Sequence, residues 1–166
     1  QARLGSAECP SRRSPGMPDW ETVKASLPVG KCDEDKAKRK ELWQQFNVTN
    51  PKSLDLFELD AGIQLVLQCE ELFEAKDVIQ RAYAYAREVN PKGPSDKLEF
   101  VEFRLLLVYL KGLFEVHQIF SKLDGSRDQV LSKAELEGAS EKFAALGIVV
   151  DDVDALWEKL KGSNET

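Results

Sequence analysis

Three segments of this chain close in the same way, and that repeat constrains its architecture more than any other feature. They read Leu54-Asp-Leu-Phe-Glu58-Leu59, Leu98-Glu-Phe-Val-Glu102-Phe103 and Leu131-Ser-Lys-Ala-Glu135-Leu136. Each holds a Leu, three residues, a Glu and then a hydrophobe that starts a helix, and the Glu recurs after 44 and then 33 residues. Internal periods of this size mark repeated supersecondary units. The unit with this signature is a helix–loop–helix built around a twelve-residue cation loop. In such a loop the Leu is the eighth residue, where two loops pair through a short β-bridge. The Glu is the twelfth and supplies both carboxylate oxygens to a calcium ion.

The remaining sequence reads as an all-α fold. Asp19 can cap a short helix with Trp20, Val23 and Leu27 at i, i+3 and i+7, ended by Pro28. A charged helix begins near Asp35, with Leu42, Trp43 and Phe46 on its inner face. Leu59 to Phe73 is apolar on most sides, and Asp77 to Val89 carries Ile79, Ala82, Ala86 and Val89 at helical spacing. Glu102 to Lys122 reads as a long, largely buried helix. Ala134 to Leu146 stops at Gly147, a residue type favoured just past a helix end. Asp151 and Asp152 open a last helix with Val153, Leu156, Trp157 and Leu160 inward, acids that suit the positive end of its dipole. The connecting loops run to about a dozen residues where bundles need roughly 2–8, which points to loops with a task.

Whether such a loop holds an ion depends on positions 1, 3 and 5, which must present oxygen. In the third loop Asp124, Ser126 and Asp128 fill them, Val130 offers its carbonyl, Ser132 can hold a water and Glu135 completes the shell. That oxygen set suits Ca2+, a hard cation taking six to eight ligands. Gln129 stands at position 6, where Gly normally makes a sharp turn, and a non-Gly residue at positive φ costs of order 1 kcal/mol. The expected affinity is in the sensor range, about 10⁻⁶ to 10⁻⁴ M. Counting back from Glu58, the first loop offers Asn47, Thr49 and Pro51, with Lys52 at the turn; counting back from Glu102, the second offers Pro91, Gly93 and Ser95. Neither has a carboxylate at those positions, so both are expected to keep the loop shape without the ion. A fourth unit starts at Leu156 to Leu160, and its loop would begin at Lys161-Gly162-Ser163, a cation at the first position.

Composition narrows the function classes. Lys plus Arg number 23 and Asp plus Glu 29 in 166 residues, a net charge of −6 that has no general attraction for nucleic acid phosphates. The most apolar stretch, Leu98 to Phe120, is interrupted by Glu99, Glu102, Arg104, Lys111 and Glu115 and so belongs in a core, not a bilayer. His117 is the sole histidine, and no Ser or Cys nucleophile motif accompanies it, so packing is its simpler role and catalysis is not expected. Cys9, Cys32 and Cys69 form no C-x-x-C pair, which suits a reducing compartment. Glu70, Glu71 and Glu74 read as a solvated helix face, and Phe100, Phe103, Tyr109, Phe114 and Phe120 as core. Residues 1–18, rich in Pro, Gly, Ser and Arg, bury too little surface to offset their ordering entropy.

The run Glu99-Phe-Val-Glu102-Phe103-Arg104-Leu-Leu-Leu-Val-Tyr109 resembles the E-F-x-E-F-R-L-x-L-x-Y segment of the trypanosomatid flagellar calcium-binding proteins, the calflagins, within the EF-hand superfamily. Asp19-Trp20-Glu21 through Leu27-Pro28 is similar to that family's W-E-x-(I/V)-x-x-(A/S)-(I/L)-P helix. Phe114-Glu115, Phe120 and Asp124 follow its F-E…M-F…D order. The resemblance runs from about Pro18 to Leu160. It implies four helix–loop–helix units (EF-hands) in two lobes, metal held mainly by the third and fourth, and a place in the flagellum or cytoplasm. It also implies membrane association by acylation, through an N-terminal myristoyl group and a nearby palmitoylated cysteine. Cys9 is the candidate by analogy, although Gly5-Ser-Ala-Glu-Cys9 is not itself a myristoylation signal.

The resulting expectation is a mobile tail over 1–18, an N-terminal lobe over 19–102 with two ion-free EF-hands, and a C-terminal lobe over 103–166 with one calcium-competent EF-hand and an incomplete fourth. Its function is that of a non-enzymatic, intracellular calcium sensor or adaptor. Ca2+ at Asp124, Asp128 and Glu135 would alter a surface read by a protein partner. The alternative is a metal-independent scaffold whose units hold their shape without an ion.

Overall fold

The helix nearest the start is set by its ends. In the computed structural model, which describes residues 18–90, 97–126, 128, 130–139 and 152–162 (backbone alone at 156 and 160–162), α1 spans Trp20–Ser26. The Asp19 carboxylate caps it, accepting from the Thr22 N–H at 2.9 Å. Pro28 prevents its continuation. The expected tail falls outside the described residues, and with it Cys9. The second-loop positions Pro91, Gly93 and Ser95 do so too, as do Gln129, the stretch through Gly147 to Asp151, and Ser163.

After α1 come α2 (Asp33–Phe46), β1 (Ser53–Leu54), α3 (Leu56–Gly62), a π-helical turn (Ile63–Leu67), α4 (Glu70–Glu74), α5 (Lys76–Glu88), β2 (Leu98–Glu99) and α6 (Phe100–Leu123). Among the described residues two further helices follow, α7 (Lys133–Gly138) and α8 (Val153–Gly162). The chain divides into two compact units between Phe114 and Glu115, inside α6. Sequence alone drew the lobe boundary at Glu102. The later division follows from packing, because Phe103, Leu106, Leu107, Leu110 and Phe114 all belong to the first unit's core.

In the first unit the repeated Leu does what its loop position implies. Leu54 pairs with Leu98, and Ser53 with Glu99, in a two-stranded antiparallel ladder that joins the first and second loops. Both leucines are fully buried. The Tyr83 hydroxyl donates to the Leu54 carbonyl at 3.0 Å, fixing α5 to the same ladder. Above it lies an aromatic cluster in which Phe103 meets the rings of Trp43 and Phe46 edge-on, at centroid separations of 5.2 and 5.9 Å.

The apolar stretch from Leu59 to Phe73 is not one helix. α3 passes into the π turn, which ends at Gln68 in the left-handed region (φ 54°) before α4 begins. The reversal carries Cys69 and Leu72 into the core, where both are buried. Gly62 allows α3 to lie against Phe46: a Cβ there would fall 2.5 Å from that ring's Cγ. Gly62→Ala should therefore cost about 1–3 kcal/mol by overpacking, measurable as a lower midpoint in urea.

Some expected core positions lie at the surface. Val89 is 52% exposed beside the buried Ala86, Phe100 is 38% exposed, and Val116 is 64% exposed on the second half of α6, which the sequence treated as largely buried. In the second unit a small core of Leu123, Leu136 and Ala139 is flanked by Ile119, Leu131, Val153 and Trp157. The Asp152 carboxylate caps α8 through the Ala155 N–H at 2.9 Å. Lys133 meets Asp154 at 2.5 Å, tying α7 to α8. Among the described residues no helix is long and apolar enough to cross a membrane.

Candidate metal centre

The third loop lies in the second unit, between α6 and α7. Asp124 follows the last residue of α6, its backbone N–H donating to the Phe120 carbonyl at 2.8 Å, and its side chain is 7% exposed. The Ser126 hydroxyl donates to Asp124 Oδ1 at 3.1 Å, and the Ser126 N–H donates to Glu135 Oε1 at 2.8 Å. Positions 1, 3 and 12 are thus joined through one serine. Asp128 Oδ1 accepts from the Val130 N–H at 2.9 Å, a local turn that leaves Asp128 without a described link to the other two acids.

Ser132 has a further role that the sequence reading missed: it caps α7. Its hydroxyl accepts from the Glu135 N–H, while the Ser132 N–H and hydroxyl donate to Glu135 Oε2 at 3.0 and 2.7 Å. The signal was present as Ser-x-x-Glu ahead of an apolar residue, the capping box. Asp55-x-x-Glu58 forms the same box at the start of α3.

These donors act on the Glu135 charge. The Ser132 N–H, then the Ser132 hydroxyl and the Ser126 N–H, hold its carboxyl at about 2, below the ordinary 4.5. A depressed value means that the charge-linked contribution to stability is fully present above about pH 4.5 and is lost as pH falls toward 2. Glu135→Gln should accordingly flatten that part of the second unit's acid-unfolding profile. Ser132→Ala removes the cap and the hydroxyl's bond to Glu135 Oε2 while leaving the backbone N–H bond, and should cost about 1 kcal/mol in helix capping. As a change behind a ligand, it should also weaken cation affinity roughly 10–100-fold, read by calcium titration.

The first two loops also hold the twelfth-position Glu through protein donors. Glu58, 6% exposed, accepts from the Thr49 N–H at 3.2 Å, from the Thr49 hydroxyl, and from the Asp55 N–H at 3.1 Å. Glu102, 4% exposed, accepts from the Asn90 amide at 2.5 Å and the Glu99 N–H at 2.6 Å. Both carboxylates have each oxygen satisfied by a protein donor. Burial of a carboxylate without such partners would be costly. Lys97 stands 3.6 Å from Asp55, a further cation beside the first loop. Glu58 and Glu102 therefore close their loops from within, as Glu135 does in the third loop; what sets the first two apart is the lack of a carboxylate at positions 1, 3 and 5.

Among the described residues, no three His, Cys, Asp or Glu side chains converge closely enough to hold a metal ion. The chemistry of the third loop still fits a hard dication, since every available donor is oxygen: Asp124, Ser126, Asp128, the Val130 carbonyl, Ser132 and Glu135. Cys32 and Cys69 are free thiols, the first exposed and the second buried. His117 lies within α6, where its carbonyl accepts from the Ser121 hydroxyl at 2.9 Å.

A comparison with known families places this geometry. The model of the FCaBP EF-hand domain matches residues 23–110. The chain belongs to the FCaBP EF-hand family. The matched span covers the two internally closed loops of this FCaBP-type chain, whereas the third loop lies beyond it. A flagellar calcium-binding protein of Trypanosoma cruzi is 33% identical over 146 residues, which is 85% of this chain and 69% of that protein. Flagellar calcium-binding proteins TB-17 and TB-44A of Trypanosoma brucei brucei are 30% and 29% identical over the same share of this chain. The match spans 63% of TB-17 and 36% of TB-44A.

Proposed function

We propose that this chain is a non-enzymatic calcium-responsive protein of the flagellum, with Ca2+ bound by the third loop and a first unit that keeps its form without metal. The observation that carries the reading is the link from the Glu135 carboxylate through Ser126 to Asp124, a pair of acids that the first two loops lack. Glu135 is also reached from Ser132 and stays ionised far below neutral pH. An ion entering beside the buried Asp124 would meet two carboxylates already linked through Ser126. Asp128 Oδ1 accepts the Val130 N–H and can keep it while the carboxylate's other lone pairs take the ion. Drawing Asp128 toward Asp124 and Glu135 reshapes the loop ahead of α7 and gives a protein partner a calcium-dependent surface. The family membership and the names of the relatives support calcium and the flagellum as the setting.

Isothermal titration of the whole chain tests the reading. One site in the range of about 10⁻⁶ to 10⁻⁴ M is expected, and no heat at millimolar calcium would reject it. The closed first and second loops favour a scaffold role for the first unit. Its amide resonances should be the same in calcium and in chelator, while those of Asp124 to Leu136 move.

A further inference from the structure

Helix α1 belongs to neither loop-flanking helix pair, yet one face of it is buried in the first unit's core. Trp20 and Val23 of α1, and Leu27 at its C-terminal cap, are 1%, 3% and 6% exposed. Their i, i+3, i+7 spacing is that of an amphipathic helix laid in a groove. Trp20 is the bulky anchor, its ring meeting Phe114 edge-on at a centroid separation of 4.7 Å. The segment that follows is held by its main chain. Arg39 of α2 donates to the carbonyls of Pro28 and Gly30 at 2.7 and 2.6 Å, and Arg104 of α6 donates to the Val29 carbonyl between them at 2.9 Å. Three consecutive carbonyls are thus taken by guanidinium groups from two different helices. The Gly30 N–H donates to Asp35 at 2.6 Å, and a Cβ at Gly30 would displace that carboxylate.

We propose that residues 19–30 are a self-ligand: α1 occupies, in cis, a helix-docking groove of the first unit. Side-chain anchors supply specificity, and the clasped carbonyls supply binding that tolerates other sequences. The same groove then accepts in trans a helix presenting Trp-x-x-Val-x-x-x-Leu followed by an extended Pro-x-Gly. Every contact named lies in the first unit, so the inference is independent of calcium at the third loop.

Two measurements on the whole chain test it. In native-state hydrogen exchange, the amides of Val23 and Leu27 should exchange through an opening that leaves α2, α5 and α6 protected. Arg104→Gln, which removes one charge-assisted bond, should speed that opening about ten-fold without affecting those helices. Exchange of α1 in step with α2 and α6 in both proteins would show that it is an inseparable part of the core and overturn the proposal. Separately, a labelled synthetic peptide of residues 18–31 should bind the Trp20→Ala/Val23→Ala double variant and not the parent chain. The peptide carrying Trp20→Ala should bind roughly 30-fold more weakly or worse. A folded double variant that ignores the peptide would also overturn it; if that variant does not fold, the exchange experiment decides.

Discussion

Replacing Glu135 with Gln should abolish the calcium response, weakening binding by more than about 100-fold. That figure follows because changing a group behind a metal ligand already costs 10–100-fold, and Glu135 is the proposed ligand itself. Gln keeps the shape of the side chain and an oxygen for the Ser126 or Ser132 N–H, so α7 should still form. What it removes is the negative charge and the second oxygen, the two properties that a hard cation requires of the twelfth position. Glu58→Gln and Glu102→Gln are the matched controls, since their loops carry no carboxylate at positions 1, 3 or 5. Those two variants should titrate like the parent in calorimetry while lowering the first unit's thermal midpoint. If Glu135→Gln binds calcium as the parent does, the third loop is not the site.

Phe103→Ala should be the most damaging single change in the first unit, at about 3–5 kcal/mol. The side chain is fully buried and packs against both Trp43 and Phe46, so its removal opens a void that rigid neighbours cannot fill. Against a typical total stability of about 5–15 kcal/mol, that loss is a large fraction of the whole. Denaturant unfolding followed by tryptophan fluorescence measures it directly. Phe103→Leu, which keeps most of the volume, should cost much less. A small effect of the alanine variant would mean that the aromatic cluster does not organise this core.

The helix–loop–helix repeat was legible because its physics is local. A Leu and a Glu at fixed spacing before a hydrophobe mark both the ladder residue and the helix start, and Leu54 and Leu98 meet as that spacing implies. The cap at Asp19 and the oxygen pattern from Asp124 to Glu135 were legible for the same reason. The break at Gln68 was not, because apolar residues on most sides of a segment look alike whether one helix or two carries them. Nor was the exposure of Val89 and Val116, since periodicity names a face without saying what covers it.

Sequence by itself determined the kind of unit and which loops lack carboxylates at their first positions, because ligand type and spacing are properties of the chain. Only the tertiary structure decided how Glu58 and Glu102 are satisfied without an ion. Their donors, Thr49 and Asn90, lie nine and twelve residues earlier and become partners once the loop closes. The same holds for the clasp on residues 28–30. Arg104 reaches the Val29 carbonyl across a sequence separation of 75 residues, a contact that no local pattern encodes.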